Sequence, residues 1–396
     1  MSLNQAGERP KVPFFYDPAV RGYAAQGLLL LILAVLVYFA VTNAADNIRR
    51  NNIPTDFSFW NAPAGFDTNQ HLIPFSAAAQ STYGQAFLVG LLNTLLVGAI
   101  GCVLATFLGF FIGIARLSSN WIVAKMAMVY VETLRNIPLL LQLYFWYQAI
   151  LPLLPDPKQS RQLPGNIFLN NRGLIVPEPQ FGPGAIWMLL ALLAAIVIAL
   201  VFRSWASKWQ MVTGQRAPVA LVALALVVGL PLLAYFVSGM PLSFNVPKLG
   251  KFNITGGIPV FTEFVALLFG LVLYTASFIA EIVRAGIVSV PKGQTEAAGA
   301  LGLRPGITTK LVIVPQALRV IIPPLTSQYL NLIKNSSLAV AIGYPDLVQI
   351  YMGTVLNQTG AAVQVVLTTM AVYLVISLVI SLGMNIYNQR MSLAER

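Results

Sequence analysis

The 396-residue chain has one cysteine, one histidine and little charge of either sign. A lone cysteine excludes an intrachain disulfide, and Cys102 lies in an apolar run, where it reads as a small packed residue. One cysteine and one histidine leave no set of metal ligands, so no metal site, no catalytic residues and no enzymatic chemistry are expected. No Gly-x-x-x-x-Gly-Lys-Ser/Thr phosphate loop occurs, and no extended soluble segment could hold an ATPase. Charged residues are 9% of the chain, against about 25% in soluble domains. Hydrophobic residues are 57%. Such a chain does not bury one core in water; its solvent is mostly lipid. The net charge of +11 would suit nucleic acid, but the basic residues are thinly spread and form no patch interleaved with aromatics.

A bilayer core takes roughly 20 apolar residues per helix. Eight segments qualify, at residues 23–43, 86–115, 121–151, 184–202, 217–237, 260–283, 320–343 and 362–387. Residues 1–21 are polar and lack an apolar signal-peptide core, so the first apolar run is expected to stay as a helix. Pro138 and Pro323–Pro324 are expected kink sites. With the N-terminus inside, fifteen of the 24 Lys and Arg flank the inner side and seven the outer, while Arg135 and Lys334 lie within segments. That bias places both ends in the cytoplasm with an even number of spans. The long outer loops, 43–85, 152–183 and 238–259, are rich in Pro, Gly and Asn and are expected to be irregular. His71, in the first of them, reads as a solvated side chain.

The stretch from Glu281 to Leu338 does not look like a connector. Ala297, Ala298 and Ala300 favour a short helix beginning at Gln294 or Thr295, which Gly302 and Pro305 can end. A second short helix is expected through 308–315. Leu301, Leu303 and Ile307 would be too apolar for a solvated loop. Two readings stand: a docking surface for a soluble partner, or an amphipathic helix on the lipid interface.

Intramembrane charge is costly and usually functional. Glu132 and Arg135 are three apart and could pair, with Gln142 two turns on. Glu281 and Arg284 repeat that spacing near the inner edge and read as structural or as part of a coupling joint. Ser327 or Gln328, Asn331 and Lys334 or Asn335 form a polar stripe on an apolar helix, followed by Ser336 and Ser337. The stripe either bonds neighbouring helices or lines a passage in which Lys334 attracts a carboxylate.

Several motifs carry a family resemblance. Glu296-Ala297-Ala298, Gly302 and Val312-Ile313-Val314-Pro315 resemble the EAA signature of ABC-importer permeases, with Val312 and Val314 as conservative departures. Pro315-Gln-Ala-Leu-Arg319, Leu332-Ile-Lys-Asn-Ser-Ser-Leu338, Gly90-Leu-Leu-Asn-Thr94 and Arg135-Asn-Ile-Pro-Leu-Leu-Leu-Gln142 resemble its polar amino-acid branch. The extra first helix, the extra pair at 184–237 and the text around Phe15-Tyr-Asp-Pro18 look like the Q-type subunit of general L-amino-acid importers.

The resemblance implies an all-α, type-I ABC importer transmembrane fold of about eight helices. Residues 1–85 would be the N-terminus, first helix and periplasmic loop, and 86–388 the transmembrane domain with an insertion at 153–258. Residues 291–315 would be the cytoplasmic coupling loop and 389–396 a cytoplasmic tail. It implies a multi-pass permease of the bacterial inner membrane for L-amino acids of broad range. Its partners would be an ABC ATPase homodimer, a second homologous permease and a periplasmic amino-acid-binding protein. ATP and Mg would sit on the ATPase, and this chain would hold no cofactor. Glu296, Ala297, Ala298, Gly302, Arg304 and Pro315 would form the joint to the ATPase. Arg135, Gln142, Gln328, Asn331, Lys334, Asn335, Ser336 and Ser337 are the candidates for the substrate path. Many relatives of this branch have Asp at the position of Asn335; its absence suits a broad or neutral range. The other readings are an ion-coupled secondary transporter, against which no internal repeat is visible, and a membrane enzyme.

Overall fold

Seven of the eight apolar runs become helices long enough to span a bilayer, because only a helix satisfies every backbone polar group within one segment. The computed structural model describes residues 18–215, 217–250 and 254–391. Phe15–Asp17, Lys251 and the tail beyond 391 lie outside the described residues, as does Arg216. Among the described residues, seven helices are long and apolar enough to cross a membrane.

Helix α1, Pro18–Arg50, keeps its apolar side chains exposed. Helix α2, Tyr83–Ala115, starts at a capping box: the Thr82 hydroxyl accepts from the Gln85 N–H and the Gln85 side chain accepts from the Thr82 N–H. The expected segment 121–151 is broken. Helix α3, Trp121–Asn136, stops before Pro138, and α4, Leu139–Tyr144, restarts the run before a π-turn at Phe145–Ile150. Ile137 is extended, as a residue before proline prefers. Gln142 repairs the break: its amide donates to the Leu134 and Ile137 carbonyls at 2.9 and 3.0 Å.

Helix α5, Ala185–Thr213, and α6, Val219–Val237, pack on each other as a pair. Their ends meet where Gly184 abuts Ser238. Helix α5 is ten residues the longer, about 15 Å at 1.5 Å per residue. It passes the expected end at 202 because Arg203 and Lys208 can keep their charge at the interface while Trp205 and Trp209 stack at 5.9 Å. The pair emerges from strands, not from the expected irregular loops. β1 (Arg161–Leu163), β2 (Ile167–Asn170), β3 (Gly173–Val176) and β8 (Ile258–Phe261) make an antiparallel sheet. β4 (Glu178–Phe181) pairs with β5 (Leu242–Asn245), and β6 (Lys248–Leu249) with β7 (Ile254–Thr255). β8 leads directly into α7, Thr262–Val288.

Helix α7 is the most enclosed span, with α2, α3 and α10 packed on it. Small residues let backbones approach: a Cβ on Gly109 would lie 2.6 Å from Ile279, and one on Gly113 2.7 Å from the Ala280 carbonyl. After α7 come α8, Lys292–Ala300, and α9, Pro305–Thr308. The second short helix expected at 308–315 does not stand alone. It continues through a π-turn at Thr309–Ile313 into α10, Val314–Asn335, and a 3-10 segment, Ser336–Ile342, one unbroken run of 38 residues. Pro315 has no N–H to give to a helix ladder, and the π-turn just before it absorbs that gap. A π-turn at Val348–Val355, α11 (Leu356–Thr359) and α12 (Ala362–Met391) complete the chain. Helix α8 and the sheet lie at opposite ends of the spans.

Candidate functional site

Helix α8 is a short, rigid, exposed element. A Schellman motif closes it: the Gly302 N–H donates to the Gly299 carbonyl at 2.9 Å and the Leu303 N–H to Ala298 at 3.1 Å. That geometry puts Gly302 at φ +73°, where a Cβ is strained although nothing lies within 4 Å of it. Ala298 is buried, and the Gln316 amide donates to the Gln294 side chain at 3.4 Å, joining α8 to the start of α10. Glu296, Ala297 and Arg304 are exposed. Leu301 is 80% exposed, with Ile307 and Leu311 also uncovered. The Arg304 carbonyl accepts from the Ile307 and Thr308 N–H groups that open α9.

A charge cluster lies behind this element. Glu281 accepts from Arg116, at the end of α2, and from Arg284 at 2.7 Å. Arg116 also reaches Glu132 at 3.9 Å. The expected Glu132–Arg135 pair is not made: Arg116 takes Glu132, and the Arg135 guanidinium sits 5.1 Å over the Phe278 ring. Helices α2, α3 and α7 are therefore tied together eight to eleven residues before α8 begins.

The α10 stripe is uncovered. Ser327, Asn331 and Lys334 are exposed on one face, with Gln328 and Asn335 half-buried beside them. Ile321, Leu325 and Leu332 occupy the face turned to the core. Ser336 and Ser337 donate to the Ile333 and Lys334 carbonyls at 2.8 and 2.6 Å, where α10 tightens into its 3-10 end. A cavity of about 550 Å³ between α10 and α12 joins Thr326 and Ser327 to Ser381, Asn385 and Asn388. Arg135 is exposed, whereas Gln142 is buried in the α3–α4 break. Among the described residues no hydrogen bond or ion pair connects either to the stripe.

One buried acid escaped the sequence reading because it falls just beyond an apolar segment. Asp346 is fully buried. Its carboxylate accepts from the Gln349 N–H at 2.8 Å and the Tyr373 hydroxyl at 3.3 Å. Burial pushes its carboxyl up to about 7. The turn around it is clasped by α2. The Asn93 amide donates to the Pro345 and Gln70 carbonyls at 2.8 and 2.9 Å, and the Leu347 N–H donates to Thr94 at 3.0 Å. A Cβ on Gly90 would lie 2.8 Å from the Leu347 Cα, which explains the Gly90-x-x-Asn-Thr94 spacing. That motif was the available signal. Among the described residues no cluster of three or more metal-ligating side chains occurs.

Residues 105–393 match the family described as "Binding-protein-dependent transport system inner membrane component". The chain is 54% identical to the general L-amino acid transport system permease protein AapQ of Rhizobium johnstonii, over 96% of this chain and 94% of that one. It is 50% identical to the putative amino-acid ABC transporter permease protein YhdX of Escherichia coli, over 96% and 97%. It is 42% identical to the glutamate/glutamine/aspartate/asparagine transport system permease protein BztB of Rhodobacter capsulatus, over 99% of each.

Proposed function

Since the chain belongs to the family of binding-protein-dependent transport system inner membrane components, we propose that it is a permease subunit moving L-amino acids across the bacterial inner membrane, driven by ATP hydrolysis on a separate subunit. The 54% identity to a general L-amino acid permease supports a broad range of substrates. Family membership favours this reading over ion-coupled transport. The partners are an ABC ATPase homodimer that holds ATP and Mg, a second homologous permease, and a periplasmic amino-acid-binding protein. Both termini and α8 face the cytoplasm, and the sheet faces the periplasm. Residues 86–388 are the transmembrane domain, with 153–258 inserted, and 291–315 are the coupling loop. This chain performs no chemistry of its own.

The observation that carries the reading is α8: a helix fixed at its C-terminus by the Gly302 motif, bearing an exposed glutamate and a Leu301 with 80% of its surface uncovered. An apolar side chain so displayed suits a groove on a soluble partner. The ATPase pushes on Glu296, Ala297, Leu301 and Arg304. The push passes through Gln294–Gln316 into α10, whose Pro315 end is continuous with the coupling loop, and through the Arg116–Glu281–Arg284 cluster into α2 and α3. Helix α10 then turns its stripe, with Gln328, Asn331, Lys334 and Asn335, toward or away from the passage shared with the second permease. Lys334 attracts the amino-acid carboxylate there.

The test is uptake by vesicles holding the permease pair, the ATPase and the binding protein. Uptake is expected with internal ATP and no ion gradient. Uptake that follows an imposed ion gradient and ignores ATP would overturn the proposal, as would crosslinks from Glu296→Cys that reach lipid and never the ATPase.

A further inference from the structure

We propose that the apolar cavity under the inserted sheet holds an acyl chain of an outer-leaflet phospholipid. The cavity, about 310 Å³, lies where three elements meet: the π-turn after α4, strand β3, and the first turns of α7. Trp146 and Ile150 come from the π-turn, Leu174 from β3, and Ala266 and Phe269 from α7. Among the described residues, the lining side chains are hydrocarbon apart from one indole nitrogen. A water molecule needs two to four polar partners, so such a space is dry or filled with hydrocarbon.

Two local features create the space. The π-turn widens Phe145–Ile150, and single π-turns inside helices recur at functional sites. Gly173 opens β3 at φ +121°, and a Cβ there would come within 2.0 Å of the Val260 carbonyl. Glycine is required for β3 to close on β8, so no side chain grows from that position to fill the void.

Depth and charge select the occupant. Val265 to Phe269 lie about 5–11 Å along α7 from its first residue, at 1.5 Å per residue. At 27 residues α7 is about 40 Å long, about 10 Å more than a bilayer's hydrocarbon core, so a centred span puts these residues among the acyl chains. Phe269, 51% exposed, stands at the mouth. A second cavity, about 250 Å³, shares Leu174 and carries exposed Arg172 beside Asn170. Among the described residues, Arg172 is the one cation of the two linings, and it suits a phosphate. A tail under the sheet and a phosphate at Arg172 describe one phospholipid, whose role is to seat the sheet on the spans. The leaflet rests on the orientation proposed above; occupancy does not depend on ATP coupling, so the two can fail separately.

The full transporter is placed in nanodiscs containing a phospholipid with a photoactivatable diazirine on its acyl chain, and adducts are mapped by mass spectrometry. Adducts are expected on Leu169 or Leu174 of the sheet, as well as on exposed Leu200 and Val201 of α5. Ala266→Phe, which fills the cavity, removes the sheet adducts and leaves those on α5. Leu169→Trp does the same from the opposite wall and covers the case in which Ala266→Phe misfolds. Arg172→Glu reduces the sheet adducts. Labelling of α5 without the sheet would overturn the proposal, as would sheet adducts unchanged in both filled variants.

Discussion

At the residue scale, Gly302 is needed for its backbone and not for its size. Its φ of +73° costs an L side chain about 1–2 kcal/mol, while the space around it is open. Gly302→Val is therefore expected to insert normally and to cut ATP-driven uptake about tenfold, since 1.4 kcal/mol is a factor of ten. Gly302→Asn, which tolerates the left-handed region, keeps most of it. Equal uptake by glycine and valine variants would remove α8 from the coupling path. Asp346 gives a pH prediction with a definite sign. Its carboxyl is pushed up to about 7, whereas an unfolded aspartate titrates near 3.9. The folded state thus holds the extra proton between about pH 4 and 7, and the stability it contributes is lost as pH rises through that window. Thermal unfolding of the purified protein should show the wild type losing stability from about pH 5 to pH 7.5. Asp346→Asn should be flat there; an unchanged slope would show that another group titrates. Gly302 was legible in the sequence because glycine after an alanine-rich helix is a stop signal. Asp346 was not, because a carboxylate beyond an apolar run looks solvated until the α2 clasp is seen.

At the element scale, the sequence showed where apolar runs lie but not where they stay continuous. Pro138 was marked as a kink and proves to be a full break, because Gln142 can take over the carbonyls that the break frees. Pro323 and Pro324 sit inside an unbroken α10. The difference lies in which side chains are near enough to pair with the freed groups, and spacing alone does not contain that. The stripe was legible by its periodicity, but its exposure was not. A row of Asn331 and Lys334 left open by its own chain requires a second protein or an aqueous path in the membrane. Lys334→Ala and Asn335→Ala are expected to raise the concentration needed for half-maximal uptake and to shift preference among amino acids, with ATPase binding intact. A panel showing wild-type rates and selectivity for both would leave the stripe a helix-packing role only.

At the scale of the whole molecule, the added helix pair hangs from the tip of a β-hairpin. Strands β4 and β5 end at the pair Phe181–Leu242, and the Gly182 N–H donates to the Pro241 carbonyl at 2.6 Å, where a tight turn would normally close. Two membrane helices of 29 and 19 residues occupy the place of a turn. Within α5 only Ala195 and Ala206 are buried, and within α6 no residue is, so the pair adds almost nothing to the core. The two apolar runs of the pair were legible in the sequence, but the strands that hold them were not, because these are four residues each and carry no clear alternation. The join makes a deletion specific. Replacing residues 182–241 with Asn-Gly, which favours the type I′ turn of two-residue hairpins, should leave β4 and β5 paired and α7 correctly seated. The shortened chain is expected to insert, to co-purify with the ATPase and to support ATP-driven uptake close to wild type. Lost uptake with retained ATPase binding would assign the pair to substrate translocation or to the second permease, and lost insertion would make it part of the fold.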